Sequence, residues 1–169
     1  MKRTHVVAVA ALLILVAPAT TGCFSGLQAT TTVQATMNSG NGTQADQGPI
    51  HIEAATLVLG PDGSGTATLT TRLTNTGLED DRLTYASING IPAYITDGAG
   101  DLAPGGSASF GFDSQAWINS YDLEVPQSSY VPVQLGFEKA GLVDMSVLTV
   151  PPVGYYEGIA PTPPTNPAG

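Results

Sequence analysis

The residues able to do chemistry are few. The 169-residue chain has two histidines, His5 and His51, and one cysteine, Cys23. If an N-terminal signal carrying His5 is removed, a histidine-centred triad rests wholly on His51. A thiol nucleophile would have to be Cys23, and a Ser-Lys pair would need Lys139, which falls in an expected tight turn. No Gly-rich loop opens a helix to cradle a phosphate. The run Glu79-Asp80-Asp81 supplies carboxylates. Calcium, however, takes roughly six to eight oxygens spaced around the ion, and three adjacent acids before a strand read as a solvated turn. The expectation is a chain that is not an enzyme and that carries no cofactor and no resident metal.

Cys23 is the exception, because its neighbours give it a use. Met1-Lys2-Arg3-Thr4-His5 is a basic start, Val6 to Ala17 an apolar run, and Pro18-Ala19-Thr20-Thr21-Gly22 a stretch of small residues before Cys23. This is the plan of a signal peptide. The run is about 12 residues against the roughly 20 of a spanning helix. Cut after a small residue as an ordinary secretory signal, it would leave a stray thiol. Cut between Gly22 and Cys23 as a lipoprotein signal, it leaves a cysteine ready for diacylation. The second reading is preferred, since Cys23 has no disulfide partner in the chain. Thr20, where such signals usually carry Leu, departs from the pattern. Two acyl chains give stable anchoring.

Residues 1–22 then form the signal, and 23–48 the lipid anchor with a flexible stalk rich in Thr, Gln, Ser, Gly and Asn. Cleavage leaves Arg72, Arg82 and Lys139 against 14 acidic residues, a formal charge of −11. Such a surface has no footprint for nucleic acid. Anionic headgroups repel it, so the domain should stand off the membrane on its tether. Asn41-Gly42-Thr43 matches a glycosylation acceptor, which means little in a bacterial lipoprotein.

Residues 49–150 carry the signals of strands. Thr66 to Leu73 sets Ala67, Leu69 and Leu73 on one face, and Val131, Val133, Leu135 and Phe137 alternate strictly. Pro132 needs an edge or a strand start, since it cannot donate to a ladder. Lys139-Ala140-Gly141 turns into a strand from Leu142 to Val150. Further strands are expected at 50–59, 82–88, 93–96, 107–112 and 117–123, with Gly- and Pro-rich turns between them. No helical period appears. The fold expected is all-β, a Greek-key sandwich of cupredoxin-like or immunoglobulin-like type. Trp117, Phe110, Phe112 and Phe137 are read as core. Residues 151–169, with six prolines, read as a Pro-rich tail and spacer.

Val131 to Gly141, with its Val-rich final strand, resembles the C-terminal hairpin of the periplasmic copper chaperones called PCu(A)C. Gly65-Thr66-Ala67, Leu73-Thr74-Asn75-Thr76-Gly77 with Asp80-Asp81-Arg82-Leu83, and Leu102-Ala103-Pro104-Gly105-Gly106 resemble other strands and turns of that family. The Gln/Thr-rich stalk and Pro-rich tail are similar to the LpqE-type lipoproteins of actinobacteria. The resemblance implies a cupredoxin-like sandwich that binds Cu(I) through soft Met thioethers and His imidazoles. Its ligands are a histidine, a methionine downstream and a later His-x-Met pair. Here there is no His-x-Met, and Trp117-Ile118-Asn119-Ser120-Tyr121 stands where the pair would lie. Met37 falls in the stalk and Met145 in the last strand, so no ligand carries over.

The function expected is a non-catalytic envelope lipoprotein on the extracytoplasmic face of the membrane. Its sandwich would bind an envelope protein or a cell-wall component. The alternative is a periplasmic-type copper chaperone with altered ligands, drawn from His51 and Met145.

Overall fold

In a computed structural model the described residues are 42–112 and 114–161. Cys23, Met37, Asn41 and the end of the tail lie outside them.

The alternating segments form the long strands. β2 (Ile50–Leu59), β3 (Ala67–Asn75), β4 (Asp81–Ile88), β10 (Tyr130–Phe137) and β11 (Gly141–Val150) carry most of the pairing. Shorter strands fill the rims: β1 (Thr43–Gln47), β5 (Ile91–Pro92), β6 (Tyr94–Ile95), β7 (Asp101–Leu102), β8 (Ser107–Phe110) and β9 (Ile118–Ser120). No α-helix occurs among the described residues, and Gly154–Tyr156 makes a single 3-10 turn.

One leaf of the sandwich runs β5-β4-β10-β11, and the other runs through β2, β3, β9 and β6, with β1 beside β2 and β8 beside β3. β11 pairs antiparallel with β10 from Gly141 to Leu148. Only its end, Thr149 and Val150, pairs with β2, in parallel with Leu57 and Val58. Among the described residues this is the one place where the two ladders join. Strands that are neighbours in space but not in sequence give the Greek-key plan. Between the leaves lie Ile50, Ile52, Leu57, Leu69, Leu73, Ile88, Phe110, Leu135 and Val147, each at most 2% exposed. Burying a side chain of this size contributes about 1.5–3 kcal/mol.

Pro132 obeys its constraint. Its carbonyl accepts from Asn89 N–H beyond the end of β4, so its missing donor faces the β4–β5 turn and not β11.

Three expectations need correction. β1 lies inside the segment expected to be stalk, and the sheet begins six residues before position 49. Its polar sequence gave no apolar period, yet Thr43 is buried and donates to the Ser146 carbonyl at 2.7 Å. The segment expected to be a tail from 151 packs on the domain through Pro161. Thr68 donates to the Ile159 carbonyl at 3.3 Å and Thr66 to the Pro161 carbonyl at 2.8 Å. Trp117 is half-buried and Phe112 exposed, while Phe110 and Phe137 are core as expected. Phe112 follows the end of β8 and stacks instead on Tyr155 of the C-terminal segment.

Candidate functional site

The residues considered for chemistry are not brought together. His51 alternates with the buried Ile50 and Ile52 and so points outward, where Nδ1 meets Asp46 Oδ1 at 2.5 Å. Met145 points inward with Val143 and Val147. The two candidate soft ligands therefore lie on opposite sides of a layer. Among the described residues no three of His, Cys, Asp and Glu gather as they would around a metal ion.

The stretch from Trp117 to Tyr121 offers no soft donor. Asn119 Oδ1 accepts from Thr68 Oγ1 at 2.7 Å, and Tyr121 meets Tyr94 edge-on at 5.6 Å between ring centroids. Ser120 is buried, and its hydroxyl has no partner among the described residues.

Lys139 is bound to its own neighbourhood. Its Nζ lies 3.0 Å from Asp80 Oδ1 and 3.5 Å from Glu79 Oε2. The hydrogen bond with Asp80 raises the Lys139 pKa and lowers that of Asp80. Asp81, expected in a solvated turn, is buried at the start of β4. Burial works against its charge. The N–H groups of Lys139, Arg82 and Ala140, with the Lys139 cation, overcome this and hold its pKa below the ordinary value. The acidic run is a clamp on the β10–β11 turn.

The site with the form of a binding groove lies elsewhere, on the outer face of β2 and β3. At Ala54 the backbone adopts φ 54°, and the β2–β3 register shifts between Glu53 and Thr56. This bulge re-aims the strand, as bulges do near functional surfaces. Thr66, just before β3, and Thr68, Thr70 and Arg72 along it alternate outward, opposite to Ala67, Leu69 and Leu73. The C-terminal segment runs over Thr66 and Thr68 as a strap. Ile159 and Val58, the register partner of Thr68, are both buried but stand outside the main core. Beyond the strap the same face opens into a groove of about 540 Å³. Thr56, Thr70, Arg72 and Ser109 line it, together with the rings of Phe112, Tyr155 and Tyr156. Phe112 and Tyr155 stack at 4.2 Å, and Tyr156 meets Tyr155 edge-on at 5.2 Å.

Sequence reasoning missed this groove. Only the pair Tyr155-Tyr156, two aromatics in a stretch of Pro and Gly, signalled that the segment packs on something.

No protein-family model matches the chain, and no curated protein does. Solved structures do. A copper-bound PCuAC domain from PmoF2 aligns with a TM-score of 0.57 at 22% identity, covering 64% of this chain and 98% of that one. An apo PCuAC domain from PmoF1 aligns at 0.56 and 21% identity, covering 64% and 99%. The apo PmoF2 PCuAC domain aligns at 0.54 and 21%, covering 66% and 97%. At this identity the likeness is one of fold, and it spans nearly the whole of each neighbour. The described domain is a sandwich of the cupredoxin-like, PCuAC type.

Proposed function

We propose that the chain is a non-catalytic cell-envelope lipoprotein, anchored through Cys23, whose PCuAC-like sandwich is a binding and interaction module. The groove beside the strap carries the reading. It combines concavity, exposed rings and a few convergent polar groups, the usual composition of a binding site. Around it stand no acid–base pair, no activated nucleophile and no cluster of metal ligands among the described residues. The partner is an envelope protein or a cell-wall component met on the outer face of the cytoplasmic membrane.

Copper transfer is the reading that the PCuAC neighbours would suggest. The opposed placement of His51 and Met145 argues against it here. Two measurements test the proposal. Crosslinking and affinity recovery from intact cells should yield a reproducible partner, and recovery of the chain alone under several crosslinkers would count against it. Incubation of the reduced chain with Cu(I), followed by desalting, should leave negligible metal. One equivalent retained would replace the proposal with a copper chaperone using altered ligands.

A further inference from the structure

Arg72 differs from the other two cations of the described residues. Arg82 pairs with Asp101 at 2.5 Å, and Lys139 pairs with Asp80 and Glu79. Arg72 makes no ion pair among the described residues, and its hydrogen bond is a long one, 3.4 Å to Ser107 Oγ. Its register partner on β2 is Glu53, on β8 Ser109. Glu53 makes no salt bridge to it. A guanidinium that no carboxylate of the described residues pairs with, at the edge of a groove, is a fork suited to a carboxylate or phosphate.

The remaining lining says what should carry that anion. Thr56 and Thr70 are buried in the floor with their hydroxyls donating to the Ala54 and Thr56 carbonyls, and the exposed Ser109 sets its hydroxyl beside the rings of Phe112, Tyr155 and Tyr156. Tyr155 is 66% exposed, so much of its side chain stays open to a ligand. Aromatic rings beside hydroxyls suit a molecule with both apolar C–H faces and many hydroxyls. A peptide adding as a strand needs a free sheet edge. At Arg72 the floor has none, because β3 is paired there on both sides.

We propose that this groove binds an anionic saccharide, its sugar ring against Tyr155 and Phe112 and its acidic group on the Arg72 guanidinium. The assignment rests on the interaction-module reading and names its ligand class. With a formal charge of −11 after loss of the signal, the protein as a whole repels anions. Recognition therefore depends on the local contact with Arg72 and not on a diffuse field.

The test uses the full chain in detergent, titrated with tetragalacturonate, with glucose 6-phosphate, with neutral maltotetraose and with a Pro-rich peptide. Saturable binding is expected for at least one of the two anions, and which one binds separates a carboxylated from a phosphorylated sugar. Arg72→Gln should weaken it about tenfold or more, the scale of one charge-assisted pair. Glu53→Gln should tighten it about twofold, since a nearby exposed like charge is removed. Tyr155→Ala should weaken it without altering its salt dependence. No saturable anion binding, anion binding indifferent to Arg72→Gln, or equal binding of maltotetraose would overturn the assignment. So would binding of the Pro-rich peptide alone. A crosslinked partner retained by the Arg72→Gln chain, with no sugar bound, would sink the saccharide and leave the interaction module standing.

Discussion

Asp81 Oδ2 lies 2.9 Å from the amide nitrogen of Ala140, 59 residues further along the chain. The other oxygen of the same carboxylate accepts from Lys139 N at 2.9 Å and from Arg82 N at 2.7 Å. One side chain thus ties the start of β4 to the turn between β10 and β11. Asp81→Asn keeps the shape but loses the charge and turns one acceptor into a donor facing an N–H. Chemical denaturation should show a loss of about 1.5–3 kcal/mol, the range for hydrogen bonds to a charged group. An unchanged midpoint would deny the clamp its role.

The same residue sets a pH dependence. Its folded pKa lies below the ordinary value, so the unfolded chain takes up the proton first as pH falls. The stabilisation is therefore complete above the unfolded pKa of about 3.9 and is lost as pH drops through the folded value. Acid titration of stability should fall less steeply below about pH 4 in Asp81→Asn than in the parent chain. Parallel curves would place the acid sensitivity elsewhere.

The strap should contribute measurably to stability. Ile159 is buried, and its carbonyl accepts from Thr68. Ile159→Ala should cost roughly 2 kcal/mol, at the low end for a large-to-small change because the site lies at the periphery. Amide exchange should quicken around Thr66 and Thr68 and remain slow in β10. Uniform quickening would mean that strap and sandwich open together.

Gly111, between the groove residues Phe110 and Phe112, has φ 79°, and a Cβ there would stand 2.7 Å from Thr70 Cγ2 and 3.2 Å from Thr70 Cα. Gly111→Ala combines a left-handed backbone with a clash, so a loss of about 1–3 kcal/mol is expected. Thermal melting is a sufficient check, and a variant as stable as the parent would contradict the geometry.

Cys23 lies outside the described residues, and its lipidation is tested directly. Radioactive palmitate should label the parent chain and leave Cys23→Ala unlabelled and released from the membrane fraction. Equal labelling of both would remove the anchor.

Much of the sandwich was legible because burial on one face writes a period of two into the sequence. Val131, Val133, Leu135 and Phe137 announce β10 without ambiguity, and Val143, Met145 and Val147 do the same for β11. β1 was hidden because Thr43–Gln47 has a single apolar residue, Ala45, and pairs along the rim. The strap was hidden for a related reason. Ile159 is an isolated large aliphatic residue near Gly and Pro, and the residues that bond the strap, Thr68 to Ile159 and Thr66 to Pro161, are more than 90 positions earlier. The groove was beyond reach altogether. Ala54 bends the backbone without the glycine that would mark it, and Phe112 meets Tyr155 only because β8 and the strap converge.

The way β11 joins the ladders bears on the order in which the molecule is made. A chain emerging from its N-terminus has β2 and β3 early, but among the described residues their backbone ladder joins the other only through Thr149 and Val150. Until those residues appear, nothing in the backbone ladder closes the sandwich, and the pairing that does so spans some ninety residues of sequence. Contacts of such separation form slowly. The two leaves accordingly share no backbone ladder, among the described residues, until the last two residues of β11 are in place.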